Sequence, residues 1–484
     1  MRLDETVRDL ESAEISGDPA TEVLGLAYDS RQVRPGSLFF CVPGERFDGH
    51  DHAPDAVSSG AVALVCERPI GLGVPEVVVP DARAAMSPVA VAFNGHPTGE
   101  ISVAGITGTN GKTTTSILLR DILEAAGRRS GLIGTVMQVV GGVESEAGRT
   151  TPEAIDLQAT FRRMADAGDI ACVMEVSSHA LALGRCEGIS FDVAVFTNLS
   201  QDHLDFHADM EDYFGAKRLL FESDPGASVV NIDDEYGRRL AAEFDAITFS
   251  TEARDADYMA SEIEFDPAGS RFVLDTPDGS FRANTRMPGR FNVSNSVAAV
   301  AAAVTLGLDP DVAIGGLASA GPVAGRLEPI DAGQDFSVLV DYAHTPDSLE
   351  NALEAVRELC SGRVITVVGA GGDRDRSKRP LMGAAAAAGS DLVVVTSDNP
   401  RSEEPGTIID EVVAGIPGDA ERIVEVDRFE AIATAISAAR IGDAVLIAGK
   451  GHEQGQEFED GRKIPFDDRD VARRHLAERG GADR

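Results

Sequence analysis

Gly105-Ile106-Thr107-Gly108-Thr109-Asn110-Gly111-Lys112-Thr113-Thr114-Thr115 is the stretch around which the other 473 or so residues arrange themselves. The apolar run Ile101 to Ile106 before it reads as a short buried strand. From Lys112 to about Ala126 the pattern is helical. A glycine-rich turn between strand and helix is the build of a phosphate cradle. Glycines let backbone N–H groups face an anion, and the helix adds the positive end of its dipole. In that reading Lys112 reaches the β- and γ-phosphates and the Thr113 hydroxyl serves Mg²⁺. The strict motif wants glycine five residues before Gly111, where this chain has Ile106, so the match is to a variant, Gly-Thr-Asn-Gly-Lys-Thr-Thr. A ligand-free glycine turn is the plainer alternative, disfavoured by the strand–loop–helix context.

Outward from that centre, strand-like and helical runs alternate through residues 99–322, the sign of a largely parallel sheet covered by helices. Strands are expected at Ile101–Thr107, Gly131–Met137, Ile170–Val176, Asp192–Thr197 and Ser228–Ile232, with a helix from Asn292 to Leu306. Residues 323–484 repeat the alternation and predict a second, Rossmann-like sheet, with strands at Ser337–Asp341, Arg363–Gly369, Leu392–Ser397, Arg422–Val426 and Ala444–Ala448. Residues 1–98 read as a small α/β unit with strands near Ser37–Val42, Ala61–Cys66 and Val74–Val79. Its polar stretches Tyr28–Arg31 and Gly44–Gly49 read as loops on pattern alone. The fold class is therefore α/β in three domains: a small N-terminal unit, a central P-loop sheet and a C-terminal Rossmann-like sheet.

Composition limits the function. A formal net charge of −37 argues against nucleic acid as a partner, because phosphate backbones attract the opposite sign. No apolar run is long enough to span a membrane and the first residues lack a signal-peptide build, so a cytoplasmic protein is expected. Five scattered cysteines, mostly in apolar stretches, suit reduced core residues better than disulfides or zinc. Arginine outnumbers lysine 38 to 5, and Lys112, Lys217, Lys378 and Lys450 fall in segments singled out on other grounds. The acid excess points to adaptation to high salt, where self-repulsion is screened over about 3 Å at ~1 M.

Several post-strand segments carry chemistry. Glu175, in Met174-Glu-Val-Ser-Ser-His179, ends an apolar strand, where acids near a P-loop hold Mg²⁺. Asn198 to His207 is dense in His and Asp, and Mg²⁺ suits it better than zinc. Lys217 is three residues after Phe214 and four before Phe221, on the apolar face of a predicted helix. It either snorkels to water or is buried and deprotonated, and a buried amine can take up CO₂ as a carbamate. Arg374, Arg401, Asn399 and Glu453 lie on loops after strands of the third domain. Two guanidinium forks and a carboxylate there match a small molecule whose far end carries both an ammonium and a carboxylate. A molecule without that carboxylate would leave an Arg unpaired, at roughly 1–3 kcal/mol.

With Asp29-Ser-Arg31, Gly108–Thr115, Thr150-Thr-Pro152, Glu175–His179, Asn198–His207, Tyr213–Phe221, Gly325–Glu328, Asp341–Pro346, Gly371–Pro380, Asp398–Arg401 and Gly449–Glu453 in this order, the chain resembles the Mur ligases. These are the ATP-dependent amide ligases of peptidoglycan synthesis, and the likeness is to the members that add the third residue of the stem peptide. It covers all three domains, which it assigns to the UDP-sugar (1–98), ATP (99–322) and the incoming amino acid (323–484). The resemblance implies that Gly108, Thr109, Asn110, Gly111, Lys112, Thr113 and Thr114 bind ATP, bordered by Asn292, Asn295, Arg326, Asp341 and His344. Tyr28, Ser30, Gly44, Glu45, Arg46, Thr150, Thr151, Ser177 and Arg185 would contact the UDP-muramoyl dipeptide. Arg374, Asp398, Asn399, Pro400, Arg401, Gly449 and Glu453 would hold diaminopimelate. Two Mg²⁺ ions would use Thr113, Glu175, His203 and Lys217, the last as its CO₂-derived carbamate, N6-carboxylysine. The catalytic set implied is Lys112, Glu175, His203 and Lys217, acting in a monomer. The chain departs from the family in Leu183, where Gln is frequent, and in Ala370 and Ser377, where Cys and Gly are common. Lysine-adding or sister ligases of the folylpolyglutamate type are the near alternatives. A P-loop NTPase switch is the distant one, disfavoured because no guanine-reading Asn-Lys-x-Asp loop is present.

Overall fold

The computed structural model describes residues 1–44 and 47–482. The chain packs as two compact units that do not follow chain order. One comprises Met1–Thr107, Gly127–Ala194 and Ala216–Ala227; the other comprises Gly108–Ala126, Val195–Gly215 and the chain from Ser228 onward.

In the first unit a five-stranded sheet runs Glu14–Ser16, Glu76–Val78, Ala61–Cys66, Ser37–Phe40, Gly25–Ala27. It is parallel except for the edge strand Glu14–Ser16. Strand side chains alternate between faces, so both faces of this sheet need an apolar set. Leu38, Phe40, Ala63 and Val65 pack under the helix Met86–Phe93, while Phe39, Cys41, Leu64 and Cys66 pack with Ala53 and Ala56 on the other side. The cysteines at 41, 66, 172 and 186 are buried and all five are free thiols. Ser102–Thr107 pairs in parallel with Ala171–Glu175, which pairs in parallel with Ser130–Ile133. The single strand expected over Gly131–Met137 is broken. Thr135 gives its N–H to the Glu175 carboxylate at 2.7 Å instead of a ladder, and the chain turns back as antiparallel Met137–Val140 and Val143–Glu146.

In the second unit the helices Lys112–Ala125, Arg290–Thr305 and Pro310–Ser319 pack together. Arg290–Thr305 is Ala/Val-rich because Val293 and every residue from Val297 to Ala303 are buried, leaving no polar stripe. Ala227–Asn231, Ile247–Ser250 and Tyr258–Asp266 are parallel neighbours, and Gly269–Thr276 and Gly279–Thr285 continue the sheet antiparallel. That meander was not anticipated. Its burial alternates only loosely and its turns are short Pro-Ala-Gly and Pro-Asp-Gly links.

The six-stranded sheet runs Glu328–Pro329, Ser337–Asp341, Ala444–Ala448, Val364–Val368, Leu392–Val395, Arg422–Val424, parallel beyond its two-residue edge. Helices Pro346–Leu359, Lys378–Gly389 and Pro405–Val413 bury Leu349, Leu353, Met382, Ile408 and Val412 on one face. Arg428–Ala438 and Asp468–Ala482 bury Ile432, Ile436, Ala472 and Leu476 on the other. This is a doubly wound sheet, whose strand C-termini form the binding crevice. Asp341 is in register with Ala448, and Val368 with Val395, so the loops that follow leave the sheet at matched heights. A small hairpin, Gly455–Glu457 with Lys463–Pro465, closes this region.

Candidate active site

Glycine is required at both ends of the cradle. Gly108 has φ +145 and Gly111 φ +86, and a Cβ would strike the Thr197 hydroxyl at the first and the Asn295 amide oxygen at the second. The helix Lys112–Ala125 begins with no side-chain cap, so its N-terminus is turned toward the loop. Lys112 Nζ donates to the carbonyls of Gly108 and Thr109, both at 2.8 Å. Thr109 N donates to Asn198 O at 2.9 Å, and the Thr109 hydroxyl meets Tyr213 at 3.1 Å. Asn110 N donates to the Asn198 side chain at 2.9 Å, and Asn110 Nδ2 to Asp347 at 2.7 Å. Asn198, Ser200 and Asp347 thus shape the loop, although sequence reading gave Asp347 no role.

A cleft of about 410 Å³ opens beside the cradle, lined among others by Asn110, Gly111, Thr114, Asn295, Arg326 and Asp341. Asn292 does not line it; fully buried, it donates to Pro288 O at 2.8 Å and fixes the entry to its own helix. Arg326 Nη2 donates to the Thr113 hydroxyl at 3.0 Å, and its guanidinium lies 4.8 Å over the Tyr342 ring. Asp341 accepts from Leu327 N at 2.7 Å, yet burial pushes its carboxyl up to about 6, with Arg326 opposing. Loss of hydration, with Lys378 next, pulls the His344 imidazole down to about 4.

His344 belongs to a charge cluster around Asp202, a residue quoted only as part of a motif. Lys378 Nζ reaches Asp202 at 3.2 Å, with His203 at 3.5 Å and His344 at 3.8 Å. Burial alone would raise the Asp202 carboxyl; Lys378 and the two imidazoles outweigh it and hold it well below the usual carboxylate range. His203 sits in the left-handed region at φ +57 without being glycine.

On the doubly wound sheet, Lys450 is completely buried and donates to Asn399 Oδ1 at 2.8 Å and Glu453 at 2.9 Å. Asn399 Nδ2 donates to the same Glu453 at 2.8 Å. Glu453 therefore already carries one ammonium. Burial would raise Asp398, but Lys450 foremost and Arg428 next keep it ionised. Arg428 Nη2 donates to Ala448 O at 2.9 Å, just before Gly449, and pairs with buried Asp468 at 2.7 Å. A Cβ at Gly449 (φ +117) would press on the Asp398 carboxylate. Arg401, at φ +50 after Pro400, donates to Gly372 O at 2.6 Å and to Glu457 at 3.1 Å. It does not pair with Glu403, whose partner is Arg379. Arg374 is exposed and donates to Asp373 O at 2.9 Å.

In the other unit, Glu175 is buried and accepts from Thr135 N at 2.7 Å and Thr135 Oγ1 at 2.9 Å. Thr150 meets the same Thr135 hydroxyl at 2.9 Å. Thr151 Oγ1 donates to Glu175 O at 2.9 Å and accepts from Ser177 N at 3.0 Å. Arg185 reaches Thr151 O at 3.3 Å and Glu153 at 2.8 Å, and burial holds its guanidinium below the usual value. Glu153, which sequence reading passed over, also binds Arg149 and Arg83. A cleft of about 570 Å³ is lined by Tyr28, Asp29, Arg149, Glu153, Asp156 and Arg163 among others. Tyr28 donates to Asp156 at 2.7 Å. Ser30 opens the short turn Ser30–Gln32, and Gly44 N donates to Phe47 O at 2.9 Å; Glu45 and Arg46 lie outside the described residues. Lys217 is 1% exposed, which excludes the snorkelling alternative. Leu183 ends the helix Ser178–Ala182, in the C-cap position.

Among the described residues no group of three or more His, Cys, Asp or Glu is arranged to hold a metal ion. A Mg²⁺ that keeps its waters and phosphate oxygens needs only one or two protein donors; Thr113, at the start of the helix Lys112–Ala125, and buried Glu175, in the other unit, each carry a hard oxygen of the kind it takes.

A P-loop unit with a doubly wound sheet, whose crevice loops carry arginines and a buried lysine, is the build of a ligase that activates one acid and captures an amine. The chain belongs to the Mur ligase family. Residues 22–94 match the Mur ligase family catalytic domain, 106–303 the Mur ligase middle domain, and 325–451 the Mur ligase glutamate ligase domain. Its relatives include the UDP-N-acetylmuramoyl-L-alanyl-D-glutamate–2,6-diaminopimelate ligases of Geobacillus thermodenitrificans, 49% identical, and Geobacillus kaustophilus, 48% identical, each over 96% of both chains. A solved structure of a ligase of that same name superposes with a TM-score of 0.71 at 31% identity, covering 99% of each chain.

Proposed function

We propose that this chain is the ATP-dependent ligase that joins meso-2,6-diaminopimelate to UDP-N-acetylmuramoyl-L-Ala-D-Glu in cytoplasmic peptidoglycan precursor synthesis. The peptide carboxylate attacks the γ-phosphorus of ATP, ADP leaves, and an acyl phosphate forms. The amine of diaminopimelate then attacks the acyl carbon, and the tetrahedral intermediate collapses with loss of inorganic phosphate. The first step gathers negative charge, which Lys112 and the N-terminal end of its helix offset. Mg²⁺, when bound through Thr113, Glu175, His203 and a carbamylated Lys217, would add charge neutralisation on the phosphates. The full burial of Lys217 supports the carbamate, because burial favours a neutral amine and hence its reaction with CO₂. A ¹³C-bicarbonate carbamate signal that persists in Lys217→Arg would remove that assignment.

Asn295, Arg326, Asp341 and His344 serve the nucleotide in this reading, with Asn292 behind Asn295, whose amide donates to it at 3.4 Å. Tyr28, Ser30, Gly44 to Arg46, Thr150, Thr151, Ser177 and Arg185 serve the UDP-muramoyl dipeptide. In this reading the functional domains divide at 98 and 322, cutting across the two packing units, and the chain acts as a monomer.

The observation that carries the choice of amino acid is Arg401, set by a left-handed backbone and held by Gly372 O and Glu457 beside the Asn399–Lys450–Glu453 cluster. Its fork suits the distal carboxylate, and Glu453 shared with Lys450 suits the distal ammonium. Phosphate release with ATP, Mg²⁺ and the UDP-muramoyl dipeptide should require meso-diaminopimelate and be negligible with L-lysine. Arg401→Ala should raise the diaminopimelate KM by about tenfold or more and leave the ATP KM nearly unchanged. Turnover with lysine alone would reassign the loop, and phosphate release indifferent to both substrates would mark an NTPase.

A further inference from the structure

The loops that carry Arg374 and Arg401 leave two adjacent parallel strands at Val368 and Val395, where the ladder ends. Beyond it Gly372 N donates to Asn399 O at 2.9 Å and Arg401 itself donates to Gly372 O, and a second, buried guanidinium spans the loops more deeply. Arg379, in the first turn of the helix Lys378–Gly389, is completely buried. Its Nη1 and Nη2 donate to the two oxygens of Glu403 at 2.9 and 2.7 Å. Nη1 also reaches Glu411 at 2.8 Å, and Nη2 reaches Gly371 O at 3.2 Å. Glu403 in turn accepts from Asp373 N at 2.7 Å. A further tie lies nearer the surface, where the Ser402 hydroxyl donates to Asp373 at 2.6 Å.

The clamped segments are conformationally demanding. Asp373 (φ +52) and Arg401 (φ +50) both occupy the left-handed region without being glycine. At Gly372 a Cβ would run into Pro400 O, so the two loops approach as closely as backbones can. Backbone strain of this kind persists only where the surroundings over-determine it. The planar bidentate fork of Arg379 supplies that determination, and a lysine ammonium does not reproduce it.

We propose that the Arg379–Glu403 clamp is a positioning device that fixes the separation of Arg374 and Arg401 and thereby the preference for an amino acid with a distal carboxylate. The proposal rests on the reading of those two arginines as amino-acid ligands. Neither Arg379 nor Glu403 need touch substrate. A small displacement of a bidentate ligand is enough to weaken capture while the P-loop, on other elements, is left alone.

The test uses the full chain with Arg379→Lys and Ser402→Ala, assayed by phosphate release, with folding checked by thermal melting. Arg379→Lys should raise the diaminopimelate KM about tenfold, lower the preference over L-lysine by a similar factor, and leave the ATP KM within about twofold. Ser402→Ala, which removes one exposed hydrogen bond and leaves the buried fork intact, should shift the diaminopimelate KM in the same direction by a smaller factor. If Arg379→Lys does not fold, Ser402→Ala decides alone. Wild type that turns over diaminopimelate, with folded variants that keep its KM or lose ATP and diaminopimelate KM equally, overturns the clamp by itself. Wild type that ignores diaminopimelate overturns the clamp together with the reading beneath it.

Discussion

Asp341 is a carboxylate kept away from water, with nearby Arg326 and the backbone N–H groups of Leu327 and Ala343 compensating in part, and its folded value near 6 compares with an ordinary 3.8. A raised folded value means that the contribution to stability is intact below about pH 4 and is lost as pH climbs through about 6. Above pH 7 the ionised, buried carboxyl therefore destabilises the nucleotide-free protein by roughly 3 kcal/mol. Asp341→Asn retains an acceptor for Leu327 N and removes the charge. Its denaturant midpoint should match wild type near pH 4 and exceed it increasingly up to about pH 7. A constant difference across that range would show that Asp341 does not titrate there. At this scale the sequence was informative where a residue type is unusual for its place. Lys112, Lys217, Arg401 and Glu175 stood out because charge at a strand end or on an apolar helix face needs a reason. Asp202, Glu153 and Asp347 did not. An acid in an acid-rich chain is unremarkable until the fold brings Lys378, three arginines or Asn110 against it.

The helix Pro346–Leu359 shows how an element carries a site. Thr345 caps it through Ser348 N at 3.2 Å, while Ser348 Oγ accepts from Thr345 N at 3.0 Å, and Pro346 pre-sets the first turn. That cap fixes the first turn, and from it Asp347 grips Asn110 and Ser200. Thr345→Ala should cost about 1 kcal/mol of stability and, because Asp347 loses its support, raise the ATP KM several-fold without changing the diaminopimelate KM. Stability loss with no change in ATP KM would separate the cap from the cradle. Element positions were legible wherever a buried parallel strand makes a continuous apolar run. Ala61–Cys66, Ser337–Asp341 and Ala444–Ala448 fall where periodicity puts them. The antiparallel meander from Tyr258 to Thr285 and the break at Thr135 were not legible. The first has mixed burial, and the second depends on a carboxylate forty residues away.

Over the whole molecule the charge of −37 is the dominant fact outside the site. Such self-repulsion favours expansion unless salt screens it, and screening is nearly complete at ~1 M. Activity and melting temperature should rise from low salt toward molar KCl. Activity that peaks below about 0.2 M and collapses in molar KCl would overturn the high-salt reading. Substituting arginine for lysine almost everywhere has a practical corollary. Lys217, Lys378 and Lys450 are buried and Lys112 is half-buried with its ammonium on two carbonyls, whereas Lys463 is exposed on the small hairpin, directly across from Glu457, the residue that grips Arg401. Among the lysine side chains, amine-directed dye chemistry on the folded protein thereby favours one a single strand away from the proposed amino-acid pocket. A fluorophore at Lys463 would report arrival of the amine substrate as a change in brightness, with no cysteine to engineer.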